Sequence, residues 1–313
     1  MIIKDIFKQE MRSEGKVESK VKIWILAARP KTLPAAAAPV IVGSAFAYKD
    51  GSFNLLPALA ALIAALLLQI GANLANDVFD YYRGADTPER LGPRRVTQSG
   101  LLTSREVLAG TWIVFGSAAV LGIYLYINAG WPVLMIGFLA ILAALAYTGG
   151  PIPLGYYGLG DLTVFIFFGL AAVAGTYYVQ AHRLSIPVIW ASIPMGLLIT
   201  AILVVNNLRD IKTDSQAGKR TLAVRLGIQG TRVEYLLCLL FSYIVPGVMW
   251  GLGMVSISAA LVLVSVPMAI SLVRSIWKGS GSGLNQVLEG TGRLVLIYSF
   301  LFSIGVIIPV FLQ

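Results

Sequence analysis

The sequence has few charged residues, one histidine and one cysteine. Asp, Glu, Lys and Arg make up only 12% of its 313 residues, whereas 57% are apolar and the mean hydropathy is +0.80. A soluble protein carries about 25% charged residues, so the composition predicts a polytopic membrane protein instead. Because His182 and Cys238 each stand alone, disulfide frameworks and metal sites built from several Cys or His residues are excluded, and Ser-His catalysis is disfavoured.

Negative charge is also scarce, which leaves a net charge of +9. The positive residues lie in short segments between apolar runs, the pattern of cytoplasmic loops that face anionic lipid headgroups rather than of a nucleic-acid-binding surface. The first 31 residues hold eight Lys or Arg and show no signal-peptide cleavage pattern. We therefore expect residues 1–32 to form a basic cytoplasmic or interfacial segment, and we expect a lipid bilayer and no nucleic acid among the partners.

Nine apolar runs approach the roughly 20 residues that cross about 30 Å of hydrocarbon. Turn residues at "NAGWP" and "WGLGM" divide two long uncharged stretches into separate runs. We therefore predict an all-α polytopic membrane protein in which residues 33–313 form one nine-helix domain. The predicted spans are 33–48, 54–76, 107–128, 131–147, 162–181, 185–208, 233–251, 254–273 and 292–312.

The distribution of Lys and Arg predicts the orientation of these spans. With the N-terminus inside, the cytoplasmic segments hold 22 of the 24 Lys and Arg, and only Lys49 and Arg183 fall on the other side. This asymmetry favours nine spans and a cytoplasmic N-terminus in the cell (inner) membrane. The cytoplasmic segments are 1–32, 77–106, 148–161, 209–232 and 274–293.

A first acidic motif closes the second apolar run. Residues 51–76 contain no charged residue, and "NDVFDYYRGADT" then supplies three aspartates within ten positions. If the second helix continues through the motif, Asn73, Asp77 and Asp80 lie at i, i+4 and i+7, on one face. Asp86 flanks this face.

A second acidic motif, "NNLRDIKTD", follows the sixth predicted span, four spans after the first. Asn206, Asp210 and Asp214 lie at i, i+4 and i+8, which again places one amide and two carboxylates on one helix face. Two helices are therefore expected to present oxygen ligands near the same membrane surface.

Carboxylates gathered in this way repel one another and must be neutralised. Oxygen ligands without His or Cys indicate a hard cation, and Mg²⁺ commonly shares its shell between carboxylates and the phosphates of a substrate. Lys and Arg to hold phosphate oxygens lie in the same segments, so the pattern predicts a diphosphate site. These basic residues are Arg94, Arg95, Arg209, Lys212, Lys219 and Arg220.

Two other interpretations compete with a magnesium–diphosphate site. One acidic motif alone is explained by a solvated helix end whose basic neighbours obey the positive-inside rule, but two matching motifs favour a site. A transporter that uses intramembrane carboxylates for cations is the alternative from a different class of function. The position of the acids at one membrane face, beside basic loops, disfavours it.

The motifs "NDVFDYYRGADT" and "NNLRDIKTDSQAGKRTLAVRLG" resemble the two acidic motifs of the UbiA superfamily of intramembrane prenyltransferases. The resemblance extends from "ARPKTLPAAAAPVIVG" to the last span, and "TQSGLL" and "YTGGPIPLGYYGLGD" look like the branch that prenylates 1,4-dihydroxy-2-naphthoate in menaquinone biosynthesis. It implies nine helices around a central cavity that faces the cytoplasm. It also implies Mg²⁺-dependent transfer of a polyprenyl group from polyprenyl diphosphate to 1,4-dihydroxy-2-naphthoate. Another aromatic acceptor (4-hydroxybenzoate, homogentisate or a porphyrin) is the alternative within the family.

The resemblance also implies roles for individual residues. The metal site would comprise Asn73, Asp77, Asp80, Asp86, Asn206, Asp210 and Asp214, of which Asp77, Asp80, Asp210 and Asp214 are the expected catalytic residues. The diphosphate would be bound by Lys31, Arg94, Arg209 and Lys219. The aromatic substrate would be contacted by Tyr147, Tyr156, Tyr157 and Asp161.

Overall fold

The computed structural model describes residues 19–85 and 91–312. The secondary structure of these two ranges consists of helices and connecting segments, with no strand. Two sequence-based assignments fall outside the described residues, namely the candidate ligand Asp86 and the part of the basic N-terminal segment that covers residues 1–18.

Ten helices can be distinguished within the described ranges. They are α1 (Lys20–Ala28), α2 (Pro34–Lys49), α3 (Leu55–Tyr82), α4 (Ser104–Ala129), α5 (Trp131–Thr148), α6 (Gly160–Ala181), α7 (Ile186–Gln216), α8 (Leu222–Gly251), α9 (Ile257–Lys278) and α10 (Leu284–Phe311). Short 3₁₀ turns occupy Pro30–Thr32, Leu154–Tyr157 and Gly281–Gly283. The first nine residues of α9 are also 3₁₀.

Helices α3 to α10 are each long and apolar enough to cross a membrane, which gives eight candidate spans in the described part of the chain. A ninth span results if α1 and α2, bent by 53° at a short break, are counted as one. The break lies where Arg29, in the left-handed conformation at φ 53°, caps α1 and two prolines follow. The chain is an integral membrane protein, and the predicted fold class is confirmed.

Two helices extend past the ends that the apolar runs predicted. Helix α3 continues to Tyr82, and α7 continues to Gln216, so Asp77 and Asp80 of the first motif and the whole of the second motif lie inside helices. Each helix is followed by a glycine with positive φ, Gly84 at 66° and Gly218 at 74°, as is common at helix C-termini. Each of these two helices therefore ends just before a glycine. The end of the apolar run marks only the point at which the side chains of the helix become polar.

Helix α7 lies at the centre of the larger hydrophobic core. Two thirds (67%) of its most apolar segment is buried, against 11% for α5, which faces outward. The buried residues of α7 pack with those of α2, α6, α8, α9 and α10. A smaller core joins α1, α3, α4 and the segment that precedes α4. The larger core contains α7 and the smaller core contains the end of α3 that carries the acidic motif, so the two acidic helices contribute to different cores.

Helix α6 is π-helical from Phe165 to Ala171, where it approaches α7 closely. A Cβ atom at Gly169 would lie 2.7 Å from the Cα of Gly196 and 2.9 Å from the carbonyl oxygen of Ser192. Both of these atoms belong to the backbone of α7 and cannot rotate away. Glycine at position 169 is therefore a requirement of the packing between these two helices.

We predict that Gly169→Ala destabilises the protein by about 1–3 kcal/mol, because the added methyl group forces the two backbones apart. The matched control is Gly137→Ala in α5, where an added Cβ meets nothing within 4 Å. Thermal unfolding of the purified protein in detergent should show a lower midpoint for Gly169→Ala only. Equal midpoints for the two variants would contradict the close approach.

Candidate functional site

A cavity of about 670 Å³ lies between α3, which contributes to the smaller core, and α7, which contributes to the larger one. It is lined by the junction of α1 and α2, by α3, α5, α6 and α7, and by the start of α10, and it combines an apolar wall with many polar side chains. The apolar wall includes Ala65, Leu68, Ala140, Ala143, Ala144, Phe167 and Phe168. The polar lining includes Arg29, Lys31, Gln69, Asn73, Asn76, Asp80, Arg95, Tyr147, Tyr156, Asn206, Arg209, Asp210, Asp214, Lys219, Asn285 and Glu289.

The face that α3 presents to the cavity differs from the predicted one by a small rotation. Asn73, Asn76 and Asp80 line the cavity, whereas Asp77 does not. Asn76 and Asp80 are four residues apart, which is also the spacing of Asn206 and Asp210 on α7. The two helices therefore present the same amide–carboxylate pair to the cavity.

Asp80 is almost completely buried, at 1% exposure, and its carboxylate is bonded on both oxygens. Arg95 Nη2 lies 2.7 Å from Oδ2, and the Tyr156 hydroxyl donates to Oδ1 at 2.8 Å. Lys219 Nζ donates to the same Oδ1 at 3.2 Å. A buried carboxylate requires such partners because its charge has lost the solvation of water.

Asp77 is buried beside the cavity and holds a loop. Its Oδ2 accepts the backbone N–H of Val96 at 3.2 Å, and its Oδ1 accepts that of Thr97 at 3.0 Å. Arg29 Nη2 lies 4.0 Å from the same carboxylate. Since Arg95 immediately precedes the two bonded amides, Asp77 fixes the segment that places Arg95 against Asp80.

Lys219 connects the two acidic motifs. Its ammonium group contacts Asp80 on α3 and lies 3.9 Å from Oδ1 of Asp214 on α7. It also lies 4.7 Å from the ring centroid of Tyr156, within cation–π distance. The polar ends of α3 and α7 therefore meet around one lysine.

The second motif has its own ion pair. The Arg209 guanidinium binds the neighbouring Asp210 through two bonds, Nε to Oδ1 at 2.8 Å and Nη2 to Oδ2 at 2.6 Å. It also donates to the side-chain oxygens of Asn206 at 2.8 Å and Asn285 at 2.9 Å. The four side chains form a network whose charged members are almost completely buried.

The junction of α1 and α2 is attached to the same cavity. Asn73 donates to the Ala28 carbonyl at 3.0 Å and to the Thr32 hydroxyl at 2.9 Å, so its amide stabilises the bend. Lys31, at this bend, pairs with Glu289 on α10 at 2.5 Å. Lys31 therefore lies at the cavity as expected, although the structure shows it bound to a carboxylate of the protein.

The two arginines that follow α3 have different environments. Arg94, the residue selected from the sequence, is exposed and does not line the cavity, whereas Arg95 is buried in the lining and pairs with Asp80. Which of these two neighbouring arginines is buried depends on how the segment packs against the helices, which the sequence alone does not resolve.

Of the four residues expected to contact an aromatic substrate, two line the cavity and two do not. Tyr147 and Tyr156 line the cavity. Tyr157 is 50% exposed outside the lining, and its backbone carbonyl accepts a bond from Arg225. Asp161 is buried in the first turn of α6, also outside the lining, and its backbone carbonyl accepts the Thr200 hydroxyl at 3.4 Å.

The cavity has the ligand chemistry of a hard divalent cation. Its acidic and amide side chains offer only oxygen ligands, and neither His182 nor Cys238 belongs to the lining. Within residues 19–85 and 91–312, however, no three Asp, Glu, His or Cys side chains lie close enough together to hold a metal ion. Instead Lys and Arg neutralise Asp80, Asp210 and Asp214. Mg²⁺ fits this ligand set, with its positive charge in place of the basic side chains.

Sequence analysis did not assign the cavity residues Asn76, Asn285 and Glu289 to the site, and it named Arg95 among the nearby basic residues but chose Arg94 for the diphosphate. The spacing of Asn76 and Asp80 repeats that of Asn206 and Asp210, so this signal was present in the sequence. Asn285 and Glu289 lie in the last helix, far from either motif, and no local pattern marks them.

The chain is similar to known proteins over most of its length. A profile of the UbiA prenyltransferase family matches residues 36–287. A 1,4-dihydroxy-2-naphthoate octaprenyltransferase of Escherichia coli (strain K12) is 39% identical over 296 residues, which cover 92% of this chain and 96% of that protein. A relative of the same name in Mycobacterium leprae (strain TN) is 41% identical over 279 residues, covering 88% and 93% of the two chains.

A solved structure shares the fold. A UbiA homolog from Archaeoglobus fulgidus bound to GPP and Mg²⁺ superposes with a TM-score of 0.65 at 15% identity. The match covers 91% of this chain and 99% of that chain. At this identity the likeness establishes the helical architecture, and the residues of the site are assigned from the contacts described above.

We predict that Asp77→Ala lowers the thermal unfolding midpoint of the protein, because it leaves two buried backbone N–H groups unpaired at about 1–3 kcal/mol each. Asp77→Asn retains one acceptor oxygen and should lose about half as much stability. Limited proteolysis should at the same time cleave the segment 92–103 faster in Asp77→Ala. A wild-type midpoint in Asp77→Ala would show that the segment does not depend on this carboxylate.

Proposed function

We propose that this chain, which belongs to the UbiA prenyltransferase family, transfers a polyprenyl group from polyprenyl diphosphate to 1,4-dihydroxy-2-naphthoate. The products would be demethylmenaquinol, CO₂ and diphosphate. The central observation is that both acidic motifs meet Lys and Arg side chains in one cavity of an integral membrane protein. The names of the bacterial relatives support this choice of donor and acceptor.

The cavity suits a substrate with a charged head and a hydrocarbon tail. Carboxylate, amide and basic side chains at the ends of α3 and α7 would receive the diphosphate. The apolar wall, formed by alanines of α3 and α5 and by Phe167 and Phe168 of α6, would receive the first isoprene units. The remainder of a long chain would extend among the helices toward lipid, because water does not solvate a polyisoprenoid.

We assign the metal site to Asp80, Asp210 and Asp214, with Asn76 and Asn206 as further oxygen ligands. Bound Mg²⁺ supplies positive charge that neutralises diphosphate oxygens and improves the leaving group. Asp77 was among the ligands expected from the sequence, but its two oxygens bind backbone amides. We therefore give Asp77 the separate role of holding the segment that carries Arg95.

Arg95, Lys219 and Arg209 are the proposed diphosphate-binding residues. Arg95 and Lys219 contact Asp80, and Arg209 contacts Asp210, so all three basic groups lie where a diphosphate would approach the acidic side chains. Their charges stabilise the developing negative charge on the leaving diphosphate. Arg94 has no part in this proposal, since its side chain points away from the cavity.

The chemistry is an alkylation of an electron-rich ring. The allylic C–O bond breaks, the electron pair leaves with the diphosphate, and a carbon of the dihydroxynaphthoate ring forms a C–C bond with the first prenyl carbon. The carboxylate leaves as CO₂ and the electron pair of the broken C–C bond returns to the ring, which restores aromaticity with no net release of a proton. Tyr147 and Tyr156 line the cavity where the acceptor would lie, and the segment 149–159 would help to exclude water from the allylic cation.

The site is proposed to face the cytoplasm of the cell that bears it. Its basic residues belong to the segments that carry 22 of the 24 Lys and Arg, and the positive-inside rule places such segments on the cytoplasmic side. For a bacterial chain this is the inner face of the cytoplasmic (inner) membrane.

We predict that the purified protein prenylates 1,4-dihydroxy-2-naphthoate with Mg²⁺ and that EDTA abolishes the reaction. Asp80→Asn and Asp210→Asn should each lower turnover at least ~100-fold, because the site loses charge that holds the metal and diphosphate. Product formation is measured by chromatography, with 4-hydroxybenzoate, homogentisate and a porphyrin as competing acceptors. Exclusive use of another ring would overturn the assignment of the acceptor, and full activity in EDTA would overturn the metal site.

We predict that Arg95→Ala raises the KM for polyprenyl diphosphate ~10-fold or more, since a charged hydrogen-bond donor to the diphosphate is lost. Arg94→Ala is the matched control, because it removes the same charge one residue away on an exposed side chain. Steady-state kinetics with varied diphosphate separate the two variants. The reverse order of effects would favour the choice of Arg94 made from the sequence.

A further inference from the structure

The first two turns of α10 form a polar wall of the cavity that neither acidic motif includes. Asn285 and Glu289 are four residues apart, so both lie on the helix face that is turned toward the cavity. Glu289 pairs with Lys31 at the bend between α1 and α2. Asn285 lies one turn earlier, next to the ion pair of the second acidic motif.

The Asn285 amide joins two parts of the site that are distant in sequence. Its Oδ1 accepts a hydrogen bond from Arg209 Nη1 at 2.9 Å, and its Nδ2 donates to the Leu91 carbonyl at 3.2 Å. Arg209 belongs to the second motif, and Leu91 belongs to the segment that continues to Arg95. One side chain therefore contacts Arg209 on α7 and the backbone of the segment that carries Arg95.

The bond to Arg209 fixes the orientation of its guanidinium. Asp210 and Asn206 occupy the Nε and Nη2 side of the group, and Asn285 is the side chain that holds the Nη1 side. The Arg209 side chain is 1% exposed, so water does not replace a lost partner easily. Without Asn285 the guanidinium would be held only through Nε and Nη2. Its Nη1–H donor would then be buried without an acceptor, which destabilises that arrangement.

We propose that Asn285 is a positioning residue for the diphosphate: it holds the guanidinium of Arg209 in the orientation in which it faces the bound group. The inference rests on the proposed function of the cavity. It predicts that Asn285 acts through Arg209, and therefore that the loss of either residue removes the same contribution to binding of the diphosphate.

The test is a double-mutant cycle on binding of inorganic pyrophosphate with Mg²⁺, measured by calorimetry on the purified protein, and on the KM for polyprenyl diphosphate. Asn285→Ala should raise the dissociation constant and this KM ~10-fold, the loss of one charged hydrogen bond, and leave the KM for the acceptor unchanged. Arg209→Ala should have at least the same effect. The double variant should bind no more weakly than Arg209→Ala, since the two residues act as one unit.

Two further variants separate positioning from a general loss of structure. Asn285→Asp keeps an acceptor for Arg209 and loses the donor to the Leu91 carbonyl, so it should retain most of the pyrophosphate affinity. Gln286→Ala, at an exposed neighbour on the same turn, should bind as the wild type does. Thermal unfolding midpoints show that each variant is folded at the temperature of the titration.

Additive effects of Asn285→Ala and Arg209→Ala, or unchanged affinity in Asn285→Ala, would overturn the inference. Failure of the proposed function has a different result: the wild type would bind pyrophosphate in a manner that depends on Asn285 but would prenylate no aromatic acceptor. The two ideas can therefore fail independently.

Discussion

The interaction on which this structure depends is the neutralisation of carboxylates buried inside a membrane protein. An ionised aspartate away from water is strongly destabilising unless an opposite charge or several hydrogen-bond donors lie next to it. Asp80, at 1% exposure, has Arg95, Lys219 and Tyr156, and Asp210 has Arg209. Because Arg95 and Lys219 come from loops beyond the helices, this requirement draws those loops back over the cavity.

The loops are in turn held by residues that take no direct part in that pairing. Asp77 binds the backbone after Arg95, and Asn285 binds the backbone before it. Arg83, at 5.3 Å from the ring centroid, contacts Tyr156, which in turn donates to Asp80. Mutations at such residues are expected to act on the geometry of the charged groups, since truncating one partner of a buried network leaves the others unsatisfied.

The same pairing is compatible with the charged substrate of the proposed function. In the structure the basic residues neutralise the acidic ones directly. A diphosphate bound with Mg²⁺ would offer each group a new partner of the required sign, the metal for the carboxylates and the phosphate oxygens for Arg and Lys. Such an exchange would keep the buried charges of Asp80, Asp210 and Arg209 next to groups of opposite charge.

Composition and the spacing of residues along one helix were enough to predict the membrane class, the helical fold and two motifs that carry oxygen ligands. The nine predicted spans compare with eight candidate spans in the described residues, or nine if α1 and α2 are counted as one. The sequence left open which of two neighbouring residues faces the cavity: Asn76 and Asp80 line it and Asp77 does not, and Arg95 is buried while Arg94 is exposed. These orientations depend on how the helices pack, since the rotation of a helix about its axis is set by contacts with its neighbours. The contacts of Asn285 could not be predicted from the sequence for a similar reason. Asn285 and Leu91 are 194 residues apart in the chain, and a contact over that distance leaves no local sequence pattern.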